Sequence, residues 1–308
     1  MTYSSADPAY IFVGGLQRSG TTLLGRLLAS HSLVAGLVGT PTAEDEGQFV
    51  HSEFPDDHAM GREVGGRRAQ AISWAYHDSA HLVSVSAGRS ARDMRAGLDR
   101  AWGPYWSRPD AAYRVEKSPS NLTRTRLLQE LFPGSRFVII TRHPMAYVAA
   151  IRKWTPYRTR IGLSPEKILD HWFAAMDTFR ADSASLHSVS VVAYEDLVRG
   201  PQSALQGISK ILGLPESGYD VAQVSNQNAR YSRYWSQYRV AKRSRSKFEP
   251  LTSAGRMRAG SLRLAERLVF TVEGERLFAR IHQQYGSRMA AYGYSVDSLD
   301  SARDWFSR

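Results

Sequence analysis

Cysteine is absent from the 308 residues, which excludes disulfide frameworks, thiolate metal sites and catalytic thiols and fits a cytoplasmic protein. Long hydrophobic runs are missing as well: nothing approaches the roughly 20 apolar residues of a membrane-spanning helix. The first apolar run, Ile11-Phe12-Val13, stops at Gly14-Gly15 after a start without Lys or Arg, so neither a span nor an export signal is expected. Lysine is scarce, with only Lys117, Lys153, Lys167, Lys210, Lys242 and Lys247 among 40 Lys+Arg. Acidic residues number 29, leaving a formal net charge of +11 carried by arginine. Arginine forks match phosphate and sulfate oxygens bidentately, so an anionic ligand is one reading. A genome-wide base-composition bias gives the same count, and charge alone selects no function. What is present is ordinary: 43% hydrophobic and 22% charged residues exclude disordered, collagen-like and coiled-coil chains.

The length suits one large α/β domain or two small ones, and no internal repeat is found. Ala9 to Val13 reads as a strand, Gly14 to Gly20 as a loop, and Thr21 to Ser30 as a helix with Leu23, Leu24, Leu27 and Leu28 on one face. His31 to Asp57 is rich in Gly, Pro and acidic residues and reads as loop around a cleft. Amphipathic segments follow at Arg67 to Val83 and Ser90 to Tyr105. Arg114 to Glu116 is a short strand leading to Lys117-Ser118-Pro119, and Asn121 to Leu131 has helical spacing. Phe137 to Thr141 is the continuous apolar run expected of a parallel strand covered on both faces. Ser164 and Pro165 open a helix through Phe179, Val189 to Ala193 is the next strand, and Glu273 to Tyr292 a closing helix. This alternation predicts an α/β, P-loop-like single domain: a central, mostly parallel sheet flanked by helices, with helical insertions and ligands at the carboxyl ends of the strands. The expected domain spans 1–308, with its core at 9–215, a basic aromatic arm or lid at 226–261 and a C-terminal helical region at 262–308.

The strongest chemical signal is Gly14-Gly15-Leu16-Gln17-Arg18-Ser19-Gly20-Thr21-Thr22 between a strand and a helix. There backbone N–H groups and the positive helix end gather an anion. Gly15 and Gly20 keep the spacing of a nucleotide-triphosphate P-loop, but Thr21 stands where that motif needs Lys. The only loop cation is Arg18, so a kinase or other phosphotransferase is the weaker alternative.

Arg18-Ser19-Gly20-Thr21-Thr22 after a strand resembles the 5′-phosphosulfate loop of sulfotransferases that use 3′-phosphoadenosine 5′-phosphosulfate (PAPS). The arginine form is similar to that of the carbohydrate and tyrosylprotein members, and the chain resembles a bacterial one. Glu116-Lys117-Ser118-Pro119 resembles the family's second-strand lysine motif, and Phe137 to Pro144 with the helix after it its 3′-phosphate motif. Tyr194-Glu195-Asp196-Leu197-Val198 resembles the segment whose tyrosine lies near the adenine, and Ile211-Leu212-Gly213-Leu214-Pro215 also fits. The resemblance implies transfer of a sulfuryl group from PAPS, by in-line displacement, to a hydroxyl of a carbohydrate, tyrosine or small-molecule acceptor, releasing adenosine 3′,5′-bisphosphate. That chemistry needs cations at the transferring oxygens and leaving phosphate and a base for the acceptor proton. By resemblance, Arg18, Ser19, Gly20, Thr21, Thr22, Arg142 and Tyr194 bind the donor, with Arg18 and Lys117 also catalytic. The family's serine eight residues after the arginine is Ala150 here, leaving Arg152 or Lys153 as replacements.

For the base, Glu46 is favoured over His51 because Asp45-Glu46-Gly47-Gln48 is similar to a stretch in bacterial members of that family, against the alternative that the acidic cluster is solvated loop. No metal is expected, since no ligand spacing demands one. Trp74, Tyr76, Trp102, Tyr105 and Trp106 read either as core or as an acceptor pocket. The segment Asn226 to Ser261, with Tyr231, Tyr234, Trp235 and Tyr238, is expected to fold over the nucleotide and bring Arg230 or Arg239 to the 3′-phosphate. The same segment supports a third reading, nucleic-acid binding, which leaves Arg18, Lys117 and Arg142 unexplained. A homodimer is compatible with the sequence, and the acceptor is not legible in it.

Overall fold

A computed structural model describes residues 8–42, 44–77, 90–154, 163–226 and 277–306. The chain divides into two compact units, Met1–Asn226 and Gln227–Arg308. In the first, five strands form one sheet in the order β2-β3-β1-β4-β5, with every pairing parallel. The strands are β1 (Ala9–Gly14), β2 (Val34–Gly36), β3 (Tyr113–Lys117), β4 (Arg136–Thr141) and β5 (Val189–Ala193). The helices are α1 (Thr21–Ser30), α2 (Asp57–Ala69), α3 (Ala91–Trp102), α4 (Thr125–Leu131), α5 (Pro144–Trp154), α6 (Pro165–Ser183), α7 (Tyr194–Arg199) and α8 (Pro201–Leu212). Among the described residues, no helix is long and apolar enough to cross a membrane.

Period-2 alternation on the strands divides the core between the two faces of the sheet. Ile11 and Val13 of β1 and Val138 and Ile140 of β4 pack with Leu24, Leu27 and Leu28 of α1 and Leu205, Ile208 and Leu212 of α8. The opposite face is aromatic: the Phe12 ring lies 5.8 Å from Phe137, 5.4 Å from Phe132 and 6.3 Å from Trp102. Trp74, Trp102 and Trp106 are buried, Trp102 within this cluster, while Tyr76 is exposed.

Local signals hold where the caps are explicit. The Ser90 and Ser164 hydroxyls accept from Asp93 N and Lys167 N, opening α3 and α6 where expected, and α6 continues to Ser183. Two stretches differ. Val34–Gly36, read as loop, is edge strand β2, too short for its period to show beside Gly and Pro. The helix expected from Arg67 instead starts at Asp57 and kinks at Gly66, followed by 3-10 turns at Gln70–Ile72 and Trp74–Tyr76. In the second unit a helix, α9, runs over 277–290 and buries Leu277, Ile281, Tyr285 and Met289 on one stripe before the antiparallel hairpin of β6 (Tyr294–Ser295) and β7 (Ser298–Ala302). The expected arm, except Asn226, lies outside the described residues, including Arg230, Arg239, Tyr231, Tyr234, Trp235 and Tyr238.

Candidate active site

Parallel pairing sends the carboxyl ends of β1, β3, β4 and β5 to one rim, with β1 flanked by β3 and β4. That reversal of direction in strand order is where open α/β sheets bind ligands. The loop after β1 is fixed to the next strand's exit by two main-chain bonds, Gly15 N to Pro119 O at 3.2 Å and Ser118 N to Val13 O at 3.2 Å. Gly15 has φ +154°, and a Cβ there would stand 2.4 Å from the Ile140 carbonyl oxygen, so only glycine fits. Arg18 takes the left-handed region at φ 65°, and its side chain is exposed.

Gly20 caps α1, whose first turn has no side-chain cap and no acidic residue. The positive end of a ten-residue helix is thereby left to an outside anion. Inside the loop, the buried Ser19 hydroxyl has no hydrogen-bond partner among the described residues. Thr21 is buried and Thr22 half-buried at the same helix start. An unsatisfied hydroxyl beside uncapped amides is the chemistry a phosphosulfate group would complete.

Arg142, directly after β4, is 5% exposed. Its Nη1 donates to the Arg18 carbonyl at 2.6 Å, and its guanidinium lies 4.2 Å over the Tyr194 ring. The Arg142 carbonyl accepts from the Trp172 indole N–H at 3.2 Å, which ties α6 to the strand end. The loop, Arg142 and Tyr194 therefore meet at one place, although they are separated by up to 176 positions in sequence (194 − 18). Ala150 is fully buried and Arg152 half-buried, while the Lys153 side chain lies outside the described residues.

Lys117 ends β3 beside Val13 of β1. Its Nζ donates to Glu46 Oε1 at 3.2 Å and to the Glu44 carbonyl at 2.8 Å, with the ion-pairing side chains 8% and 12% exposed. Two of the sequence candidates, 71 positions apart, thus form one buried ion pair. Burial pushes the Glu46 carboxyl above the usual carboxylate range, opposed by the Lys117 charge and by a donated bond from Gln48. His51 is different in kind. Burial, with the Arg124 charge adding to it, lowers its pKa to about 3, and its Nδ1 accepts from Glu53 N at 3.2 Å. A neutral imidazole whose Nδ1 is an acceptor carries its proton on Nε2, so it offers a donor where a base is needed.

Sequence reasoning missed the residues that hold this pair. Glu116, wholly buried, accepts from Gly47 N at 2.9 Å, Ser118 Oγ at 2.6 Å and Asn121 Nδ2 at 2.7 Å. Gly47 O accepts from Trp102 Nε1 at 3.1 Å, joining the site to the aromatic core. Gln48 donates to Glu46 Oε2 at 2.7 Å, and Gln17 of the anion loop donates to Asp57 Oδ2 at 2.7 Å. Glu116 and Gln48 flank Lys117 and Glu46 in the quoted motifs, and that adjacency was the available signal. Asp56, Asp57 and His58 bring ligand-type atoms within 4.8 Å of one another, but Asp56 Oδ1 caps Ala59 N at 2.7 Å and Asp57 serves Gln17.

A parallel sheet with a glycine loop feeding a helix start defines an α/β protein of the phosphate-loop class. Within that class, a family model described as "Sulfotransferase family" matches residues 8–218, and the chain belongs to that family. It is 24% identical over 220 residues to protein-tyrosine sulfotransferase A of Caenorhabditis elegans, an alignment covering 69% of this chain and 52% of that protein. The chain thus spans about half the length of this curated relative. Among solved structures, sulfotransferase STF1 from Mycobacterium tuberculosis aligns at 21% identity and TM-score 0.48 over 75% of this chain and 77% of its own. The sulfotransferase domain from the curacin biosynthetic pathway aligns at 18% identity and TM-score 0.43 over 85% and 98%.

Proposed function

We propose that the chain is a PAPS-dependent sulfotransferase that transfers the sulfuryl group to a hydroxyl-bearing acceptor. The observation that carries this reading is the Lys117–Glu46 pair, a buried cation and a carboxylate 3.2 Å apart beside an anion loop that has an unsatisfied hydroxyl. The donor supplies an activated sulfo group on a phosphate leaving group. The α1 amides, Ser19, Thr21 and Thr22 bind the 5′ end, with Arg18 beside it. Arg142 binds the 3′-phosphate from its place over Tyr194, whose ring is set for the adenine side. Lys117 stabilises negative charge on the transferring oxygens, and Glu46 takes the acceptor's proton. Such a site works mainly by positioning and fixed charge. Acceptors within this reading are a carbohydrate, a tyrosine or a small-molecule hydroxyl.

The test is retention on adenosine 3′,5′-bisphosphate resin, followed by transfer from labelled PAPS into extract fractions, with mass spectrometry of the product. Retention and transfer by the native protein are expected, with both lost in Arg18→Ala while the fold persists. Magnesium-dependent ATP turnover without PAPS turnover would establish the kinase alternative in its place.

A further inference from the structure

Gln48 is 2% exposed, and both polar atoms of its side chain meet partners. Its Oε1 accepts from Ser120 Oγ at 2.6 Å and from Asp57 N at 3.0 Å, and its own N–H donates to Ser118 Oγ at 3.1 Å. A main-chain N–H can only donate, so the amide cannot be turned over without setting two donors against each other. Its Nε2 must therefore point at Glu46 Oε2, 2.7 Å away. The other Glu46 oxygen faces Lys117 Nζ. A fixed donor on each carboxylate oxygen favours the ionised form.

We infer that Gln48 is a positioning residue that aims the Glu46 carboxylate at Lys117 and opposes its protonation; as a statement about the reaction, this rests on the reading of Glu46 as the base. The charged groups around Glu46 are Lys117 from β3 and Asp57 from α2; the first favours the carboxylate and the second opposes it. Glu116 interacts electrostatically with Lys117, and the exposed Glu44 carboxylate lies 4.0 Å from Arg26. Lys117 bonds Oε1, and the hydrogen bond to Oε2 among the described residues comes from Gln48. Gln48 also closes a string from the anion loop, since Asp57, which donates to it through the main chain, accepts from Gln17 through its side chain.

The test is a carboxyl titration of Glu46 in the full chain labelled with 13C-glutamate, the resonance being assigned by its loss in Glu46→Gln. Gln48→Met removes the donor at similar volume. Gln48→Leu also removes the donor without adding a charge, so it tests the same point if the methionine variant fails to fold. The Glu46 midpoint is expected to rise by about one pH unit in Gln48→Met or Gln48→Leu, with an unchanged amide fingerprint away from the site. A purely structural role would lower stability and leave the midpoint in place. A midpoint within about 0.2 unit of the native value in the folded variants overturns the inference. Adenosine 3′,5′-bisphosphate added to the same samples separates the two readings: if it moves no loop resonance of the native protein, the donor assignment falls, whereas the midpoint comparison still decides the role of Gln48.

Discussion

The anion loop and the 44–57 stretch face one another across the same rim and are built by opposite means. The loop takes its shape from its own backbone: positive φ at Gly15, Arg18 and Gly20, and the uncapped start of α1. The 44–57 stretch has one 3-10 turn, Gly47–Phe49, and is held by side chains, its own and those of β3 and the turn after it, the latter 69 to 73 positions away. Binding a phosphate-like group needs amides and a dipole, which local sequence supplies. Placing the Glu46 carboxylate takes side chains: Gln48 two residues on, itself held by Ser118 and Ser120 from the turn after β3.

Four expected outcomes would break or sharpen this contrast. The largest belongs to the side-chain half: Glu46→Gln is expected to lower turnover by about 10²–10⁴-fold while retention on nucleotide resin persists, measured as labelled product per enzyme. Next, Glu116→Ala leaves Gly47 N, Ser118 Oγ and Asn121 Nδ2 without their buried acceptor. Its cost should be about 3 kcal/mol or more, read from the urea midpoint. In the backbone half, Gly15→Ala presses a methyl onto the Ile140 carbonyl and should cost about 1–3 kcal/mol and abolish nucleotide retention, whereas Ser19→Ala, which changes only a side chain, should weaken retention modestly. Equal losses from these two loop variants would erase the distinction.

The smallest effect is a pH slope. Burial lowers the pKa values of His51 and His171 to about 3, from 6.5 when unfolded. Across that window the unfolded chain binds more protons, so stability is complete above about pH 6.5 and falls as pH drops toward 3. The slope is at most about 1.4 kcal/mol per pH unit for each histidine. His171→Phe should remove about half of it in urea titrations at pH 6 and pH 5. An unchanged slope would mean that His171 is protonated in the folded state.

What could be read in advance follows the same division. β1, β4, β5 and the cap of α6 were legible because each is specified by neighbours in sequence: a covered apolar run, or a serine before a helical stripe. Glu46 and Lys117 were named from motifs, but their pairing was invisible, since nothing in a linear pattern records that Glu116 accepts from Gly47. Edge strand β2 escaped because three residues carry no period. Gln48 was quoted beside Glu46 without a role, as its importance comes from Ser120 and Asp57, which lie in other elements.

Gly15, Lys117, Arg142 and Tyr194 each stand at the last residue of a strand or the one after it. These four positions thus ride on four successive strand ends of one sheet, while Arg18, Ser19, Thr21 and Thr22 belong to the crossover that leaves β1. Under the proposed function, a change in the loops above the rim would alter the acceptor side while the sheet keeps these four strand ends in place.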